Sequence, residues 1–245
     1  MKLHNGFKPP IKNLLSIVIT HYATNENRSY WFVLSMESLL RTTKKHPCQI
    51  ILVDNGGPHH TNDHINRLVY GGFVQVYVKN HQNLSYGMGR NQGISLAVGE
   101  YICIADDDIE YKNHWLEACM KPLLKYPDKK WYSTPIDYPS NKYQMGDFDI
   151  DGETYKINDR AGSNCFIIAR DKLDDMGEFP SHRISGPLWT DKAVRAGYKA
   201  IVTPQNMVKD LGLRKGVNFK KPFAVSTTLT DGTEIYFNED EYVRS

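Results

Sequence analysis

Three adjacent carboxylates, Asp106, Asp107 and Asp108, close the apolar run "YICIA" at positions 101–105. Like charges this close repel and raise one another's pKa, so the cluster needs a counter-charge. A hard divalent cation supplies one. Mn2+ or Mg2+ prefers carboxylate oxygens and keeps coordination positions for water and substrate phosphates. Such a cation bridges phosphate oxygens and stabilises charge on a departing diphosphate. Two other apolar runs also stop on polar groups: "LLSIVIT" (14–20) on Thr20-His21-Tyr22, and "QIILV" (49–53) on Asp54-Asn55. In an open α/β sheet, ligands bind beyond the carboxyl ends of the strands. If these runs are parallel strands, their polar ends share one edge. A solvated acidic turn is the plain alternative, and the position at the end of an apolar strand argues against it. A phosphatase using DxD as nucleophile and acid is disfavoured too. Its pair follows the first strand, with Thr or Val two places beyond the second Asp, where this chain has Glu110.

The surrounding pattern supplies the scaffold. Residues 30–45 place Phe32, Met36 and Leu40 at helical spacing. "QIILV" stops at "DNGG", a turn signal. "FVQVYV" (73–78) is a further strand, "YGMGRNQGISLAVG" (86–99) a helix closed by Gly99, and "YICIA" the fourth strand. Unbroken apolar strands separated by helices predict a mostly parallel central sheet covered on both faces, an α/β fold. Residues 113–126 form a broad apolar helix face that Pro122 should kink or interrupt. "SNCFIIA" (163–169) and "YKAIVTP" are strands flanking the helix "GPLWTDKAVRAG" (186–197). "TLTDGTEIYF" suggests a hairpin at Asp231-Gly232.

The chain has 245 residues, 40% hydrophobic and 24% charged, which suits a globular domain with a real core. A net charge of +2 is too mild to make nucleic acid the main partner. Cys48, Cys103, Cys119 and Cys165 show no CxxC spacing, so neither a zinc site nor a disulfide framework is expected. The longest early apolar run is too short to span a bilayer and lacks a signal-peptide layout. The expectation is a cytoplasmic protein without a transmembrane segment, with peripheral membrane contact open. "HHTNDH" (59–64) has His60 and His64 four apart, and a loop or helix start is the simpler reading of it. "RKGVNFKK" (214–221) reads equally as a lid over diphosphate or a solvated basic loop.

The series "LLSIVITHY", "IILVDNGG" and "NLSYGMGRNQGISLAVGEYICIADDDIEY" resembles family 2 of the GT-A glycosyltransferases. "AGSNCFIIARDKLDDMGEFP" and "LWTDKAVRAGYKAIVTP" are similar to the segment before the family's catalytic helix and to that helix with its next strand. The resemblance spans about 14–213. It implies one GT-A domain over 1–245: a Rossmann-like nucleotide-sugar-binding half (about 14–110), an acceptor and catalytic half (about 111–213), and a C-terminal extension (214–245). It implies a metal-dependent, inverting transfer from a nucleotide-sugar, UDP-sugar favoured, to a glycan, glycolipid or protein acceptor.

The same resemblance implies roles. Thr20, His21 and Tyr22 meet the nucleoside. Asp54 accepts from the base, as a carboxylate suits the N–H of uracil. Asn83 sits near the base, while Gly87, Arg90 and Asn91 shape the nucleotide pocket. Asp107 faces the ribose or sugar, Asp108 ligates the metal, and Asp106 completes the DxD. Asp210 stands where relatives place a metal-binding His. Asp191, in the first turn of its helix, is the expected general base. Relatives carry Glu-Asp three and two places earlier, where this chain has Leu188 and Trp189. Trp189 reads either as a stacking platform for an acceptor sugar or as core. A sugar-nucleotidyltransferase would normally show a glycine-rich loop after the first strand, which "THYATNENRSY" lacks. A non-catalytic sugar-binding relative is the third reading.

Overall fold

A computed structural model describes residues 9–57, 61–136, 143–181, 185–211, 225–228 and 234–237. Thirteen strands and six helices occur among them. The first half runs β1 (Ile11–His21), α1 (Glu26–Thr43), β2 (Cys48–Asp54), α2 (Asn62–Tyr70), β3 (Val76–Lys79), α3 (Tyr86–Leu96), β4 (Gly99–Asp106) and β5 (Ile109–Tyr111). The second continues with α4 (Trp115–Lys125), β6 (Trp131–Thr134), β7 (Gln144–Ile150), β8 (Glu153–Asn158), β9 (Cys165–Ala169), α5 (Arg170–Met176), α6 (Ser185–Arg195), β10 (Lys199–Val202) and β11 (Val208–Asp210). Strands β12 (Val225–Thr228) and β13 (Glu234–Phe237) pair antiparallel, and the Asp231-Gly232 turn between them lies outside the described residues. So do His60 and the basic run at 214–221.

Nine strands form one sheet in the order β3-β2-β1-β4-β9-β6-β10-β8-β7. The β3-β2-β1-β4 half is parallel. Register sets His21 beside Asp54 and Thr20 beside Asp106, so the polar ends of β1, β2 and β4 do share an edge. Beyond β4 the sheet is mixed: β9 runs antiparallel to both β4 and β6, and β8 antiparallel to β10 and β7. A small β5–β11 ladder pairs Asp210 with Ile109, directly after the Asp triplet.

Alternation along β1 explains why both faces need cover. Ile17 and Ile19 enter a core with Phe32, Met36 and Leu39 of α1, Ile65 and Leu68 of α2, and Trp115 and Leu123 of α4. Val18, between them, enters the opposite core with Ile94 of α3, Leu173 of α5 and Trp189 of α6. Helix α3 lies close on its sheet face because it carries glycine there. A Cβ at Gly93 would overlap the Val18 side chain, and one at Gly89 would lie 2.6 Å from Thr20 Cγ2.

Several boundaries differ from expectation: β3 covers Val76–Lys79 rather than 73–78, and α1 begins at Glu26 rather than near 30. Helix α3 stops at Leu96, and Gly99 instead begins β4, where a Cβ would lie 2.5 Å from the Leu14 carbonyl oxygen. Helix α4 runs through Pro122 rather than breaking there. Proline leaves the carbonyl four residues back without its helical donor. That carbonyl belongs to Ala118, and it accepts the Tyr155 hydroxyl at 3.1 Å. No helix among the described residues is long and apolar enough to cross a membrane.

Candidate active site at the strand ends

The site begins where β1 and β4 finish. Asp107 is almost fully buried, its side chain 3% exposed. One oxygen, Oδ2, lies 2.7 Å from His21 Nδ1 and accepts the Tyr22 N–H at 3.3 Å. The other, Oδ1, accepts Arg28 Nη2 at 3.1 Å. Burial pushes the Asp107 pKa up, but the His21 hydrogen bond and the Arg28 and His21 charges outweigh it, and the net shift is downward. An ionised carboxylate only accepts, so His21 Nδ1 donates to it. His21 Nε2 lies 2.9 Å from Thr61 Oγ1, and the ring stacks on Phe32 at 3.9 Å. The imidazole is therefore a spacer that fixes Asp107.

Asp108 is held differently. Its Oδ2 accepts Arg28 Nη1 at 2.6 Å, and the side chain is 10% exposed. Burial and then the neighbouring Asp107 charge push its pKa up to about 7, against the pull of Arg28. Asp106 accepts Arg90 Nη2 at 2.8 Å. Burial, then the charges of Asp108, Asp107 and Asp210, lift the Asp106 pKa well above the carboxylate range. Arg90 is itself buried, and the same Nη2 lies within hydrogen-bond reach of the Ser163 carbonyl and the Tyr86 hydroxyl. Asp210 Oδ2 accepts Asn164 Nδ2 at 2.9 Å, and the Asn164 carbonyl accepts the Asp106 N–H. The Leu211 N–H binds the Asp108 carbonyl at 2.8 Å, so β11 brings Asp210 to the triplet.

The donor set of Asp106, Asp108 and Asp210 is all hard oxygen, with mutual repulsion that a cation would relieve. That chemistry fits Mn2+ or Mg2+. The expected trio is nevertheless not a preformed cage. Each carboxylate faces a different protein partner, and among the described residues no three ligand side chains converge on one point.

The end of β2 is a network of amides. Asp54 Oδ1 accepts the Gly56 N–H at 3.2 Å, and Oδ2 accepts the Tyr77 hydroxyl at 3.1 Å. Asn55 is 1% exposed, and its side chain binds Asn83 Oδ1, the Ser85 carbonyl, Asn80 Nδ2 and the Leu84 N–H. Asn83 also accepts the Ser85 N–H at 2.9 Å. Ser85 has φ +80° and caps α3 through its hydroxyl. The network thus aims the α3 N-terminus at the strand ends.

The structure brings together Thr20, His21, Tyr22, Asp54, Arg90, Asp106, Asp107, Asp108 and Asp210. Other expected residues serve the frame. Asn91 exchanges two 2.9 Å hydrogen bonds with the Phe179 backbone, and Gly87 has its hydrogen against the Pro180 carbonyl. Trp189 is wholly buried, stacked 4.7 Å from Phe166 and 5.1 Å from Phe179, so it is core and no acceptor platform. Asp191 is corrected as well. Helix α6 starts at Ser185, which puts Asp191 beyond the first turn and outside the reach of the helix dipole's positive end. Its oxygens face Arg195 at 2.8 Å and Arg160 at 3.6 Å, and the residue is 5% exposed. These contacts hold the carboxylate between two arginines. Arg28 carries no sequence signal, since a lone Arg in a helix makes no pattern, whereas the polar stop after β2 points to Asn55.

The family model described as glycosyl transferase family 2 matches residues 16–170. The glycosyltransferase AglE of Haloferax volcanii is 27% identical over 169 residues, 64% of this chain and 55% of AglE. The uncharacterized glycosyltransferase MJ1057 of Methanocaldococcus jannaschii is 33% identical over 97 residues, 40% of this chain and 32% of MJ1057. The chain thus spans about half or less of these relatives' lengths. A crystal structure of GalNAc-T7 with UDP, GalNAc and Mn2+ matches with a TM-score of 0.64 at 15% identity, over 89% of this chain and 46% of that one. At that identity the likeness establishes the GT-A fold.

Proposed function

The chain belongs to glycosyl transferase family 2, and from that premise we propose that it moves a sugar from a nucleoside-diphosphate sugar to a hydroxyl. UDP is the favoured nucleotide, inversion the expected stereochemistry, and the acceptor a glycan, lipid-linked sugar or protein. One observation carries the reading: three parallel strands end together on Thr20-His21-Tyr22, Asp54 and the Asp triplet. GalNAc-T7, which shares the fold, has been crystallised with UDP and Mn2+, and this supports the choice of nucleotide and metal. Asp54 keeps acceptor capacity for a base N–H beyond its two present donors.

Asp108, with Asp106 and Asp210, would hold Mn2+ or Mg2+, whose charge stabilises a departing diphosphate. The chain's own residues do the rest. Asp107, fixed on both oxygens, holds the 106–108 turn in place against the end of β1. Arg90 acts at one remove from the nucleotide by orienting Asp106. Asp191, held between Arg160 and Arg195, is the proposed acceptor of the proton of the acceptor hydroxyl.

Calorimetry with UDP, GDP and dTDP, each in Mn2+ and in EDTA, tests this. UDP should bind in Mn2+ and lose at least about tenfold in affinity in EDTA or on Asp108→Asn, the size expected for losing a charged ligand contact. Equal binding of all three nucleotides in both media would refute the site.

A further inference from the structure

Arg28 is the feature of the site that the reading above leaves unused. It lies in the first turn of α1, and its N–H donates to the N-cap Asn25 side chain at 3.0 Å, which fixes its backbone. From there the guanidinium spans two adjacent carboxylates, at 3.1 Å to Asp107 and 2.6 Å to Asp108. The two contacts are unequal in consequence. Asp107 has His21 and the Tyr22 N–H on its other oxygen. The Asp108 oxygen that Arg28 holds belongs to the carboxylate assigned to the cation. The shortest charged contact in the triplet is therefore made by a protein cation.

We propose that Arg28 is a built-in counter-cation of the aspartate triplet that competes with the divalent cation for Asp108 and so sets the protein's metal affinity. This rests on the metal site proposed above. Without metal, two guanidiniums balance the cluster: Arg28 covers Asp107 and Asp108, and Arg90 covers Asp106. The turn keeps its shape without a filled metal site. A divalent cation on Asp108 and the Arg28 guanidinium on the same carboxylate repel each other, so each weakens the other's hold on it. The Arg28 side chain is 31% exposed, so it has open solvent to move into. Asp107 keeps its His21 and Tyr22 contacts throughout, which makes Asp108 the half of the pair that exchanges partners.

The test is Mn2+ binding alone, followed by electron paramagnetic resonance of free Mn2+, on wild type, Arg28→Met and Arg28→Lys. Arg28→Met keeps the apolar stem and removes the competing charge. It should bind Mn2+ about tenfold more tightly than wild type, the scale of one charge-assisted hydrogen bond. Arg28→Lys keeps the charge without the fork and should fall between the two. Thermal unfolding in EDTA should show Arg28→Met melting below wild type, with saturating Mn2+ closing the gap. Wild-type Mn2+ binding that is unchanged or weakened in a folded Arg28→Met would overturn the role of Arg28 and leave the metal site standing. No Mn2+ binding to any of the three proteins would overturn both.

Discussion

Asp107 and Asp108 are neighbours of identical chemistry, and their surroundings separate them. Asp107 has His21, Tyr22 and Arg28, and its pKa falls; among the described residues the Asp108 side chain has Arg28 alone, and its pKa rises to about 7. In metal-free protein this has a sign that can be measured. With an unfolded Asp near pKa ~3.9, the folded chain between about pH 4 and 7 holds a proton on Asp108 that the unfolded chain has released. Stability must then fall as pH rises through that window. Asp106, also raised, acts in the same direction, while the lowered Asp107 acts oppositely only below about pH 4. The melting temperature in EDTA should therefore be higher at pH 6 than at pH 8, and Asp108→Asn should shrink the difference; a melting temperature that rises with pH in wild type would contradict the assignment. The triplet itself was legible because three carboxylates after an apolar run have few structural uses. Arg28 was not, because it lies 80 positions away in sequence and only the fold brings it to Asp108.

Elements were legible where one period dominates. Strands β1, β2 and β4 are buried apolar runs, and the sequence carries them without ambiguity. Helix ends were harder. The helix expected over 186–197 is α6, Ser185–Arg195, so Asp191 lies beyond its first turn, and Gly186 packs against Ser163. Gly87, Gly89 and Gly93 pack against Pro180, Thr20 and Val18. Pro122 shows how a distant residue cancels a local rule. The Ala118 carbonyl that loses its helical donor is met by the Tyr155 hydroxyl, 37 positions along the chain from Ala118. Tyr155→Phe should leave the Ala118 carbonyl without that donor and cost about 1 kcal/mol. Urea denaturation measures it, and an unchanged midpoint would show that the hydroxyl does not support α4.

At the scale of the molecule, the parallel half of the sheet was readable and the mixed half was not. Parallel order follows from apolar strands joined by helices. Beyond β4, strand β7 reads "QMGDFDI", with glycine and alternating aspartates on the sheet's outer edge, and its burial alternates along its length. Such a segment pairs through its backbone and leaves little trace in hydropathy. The outcome is that Thr20, His21, Asp54 and Asp106 stand together at one edge of the sheet, with Asp107 and Asp108 following β4. The central claim is that this end transfers sugar from a nucleotide. The most direct measurement is mass spectrometry of a set of hydroxyl acceptors incubated with UDP-sugars, in Mn2+ and in EDTA, for wild type and Asp108→Asn. The account predicts a mass gain of one sugar on an acceptor and release of UDP, in Mn2+ only and in wild type only. Transfer that persists undiminished in Asp108→Asn with EDTA would contradict it.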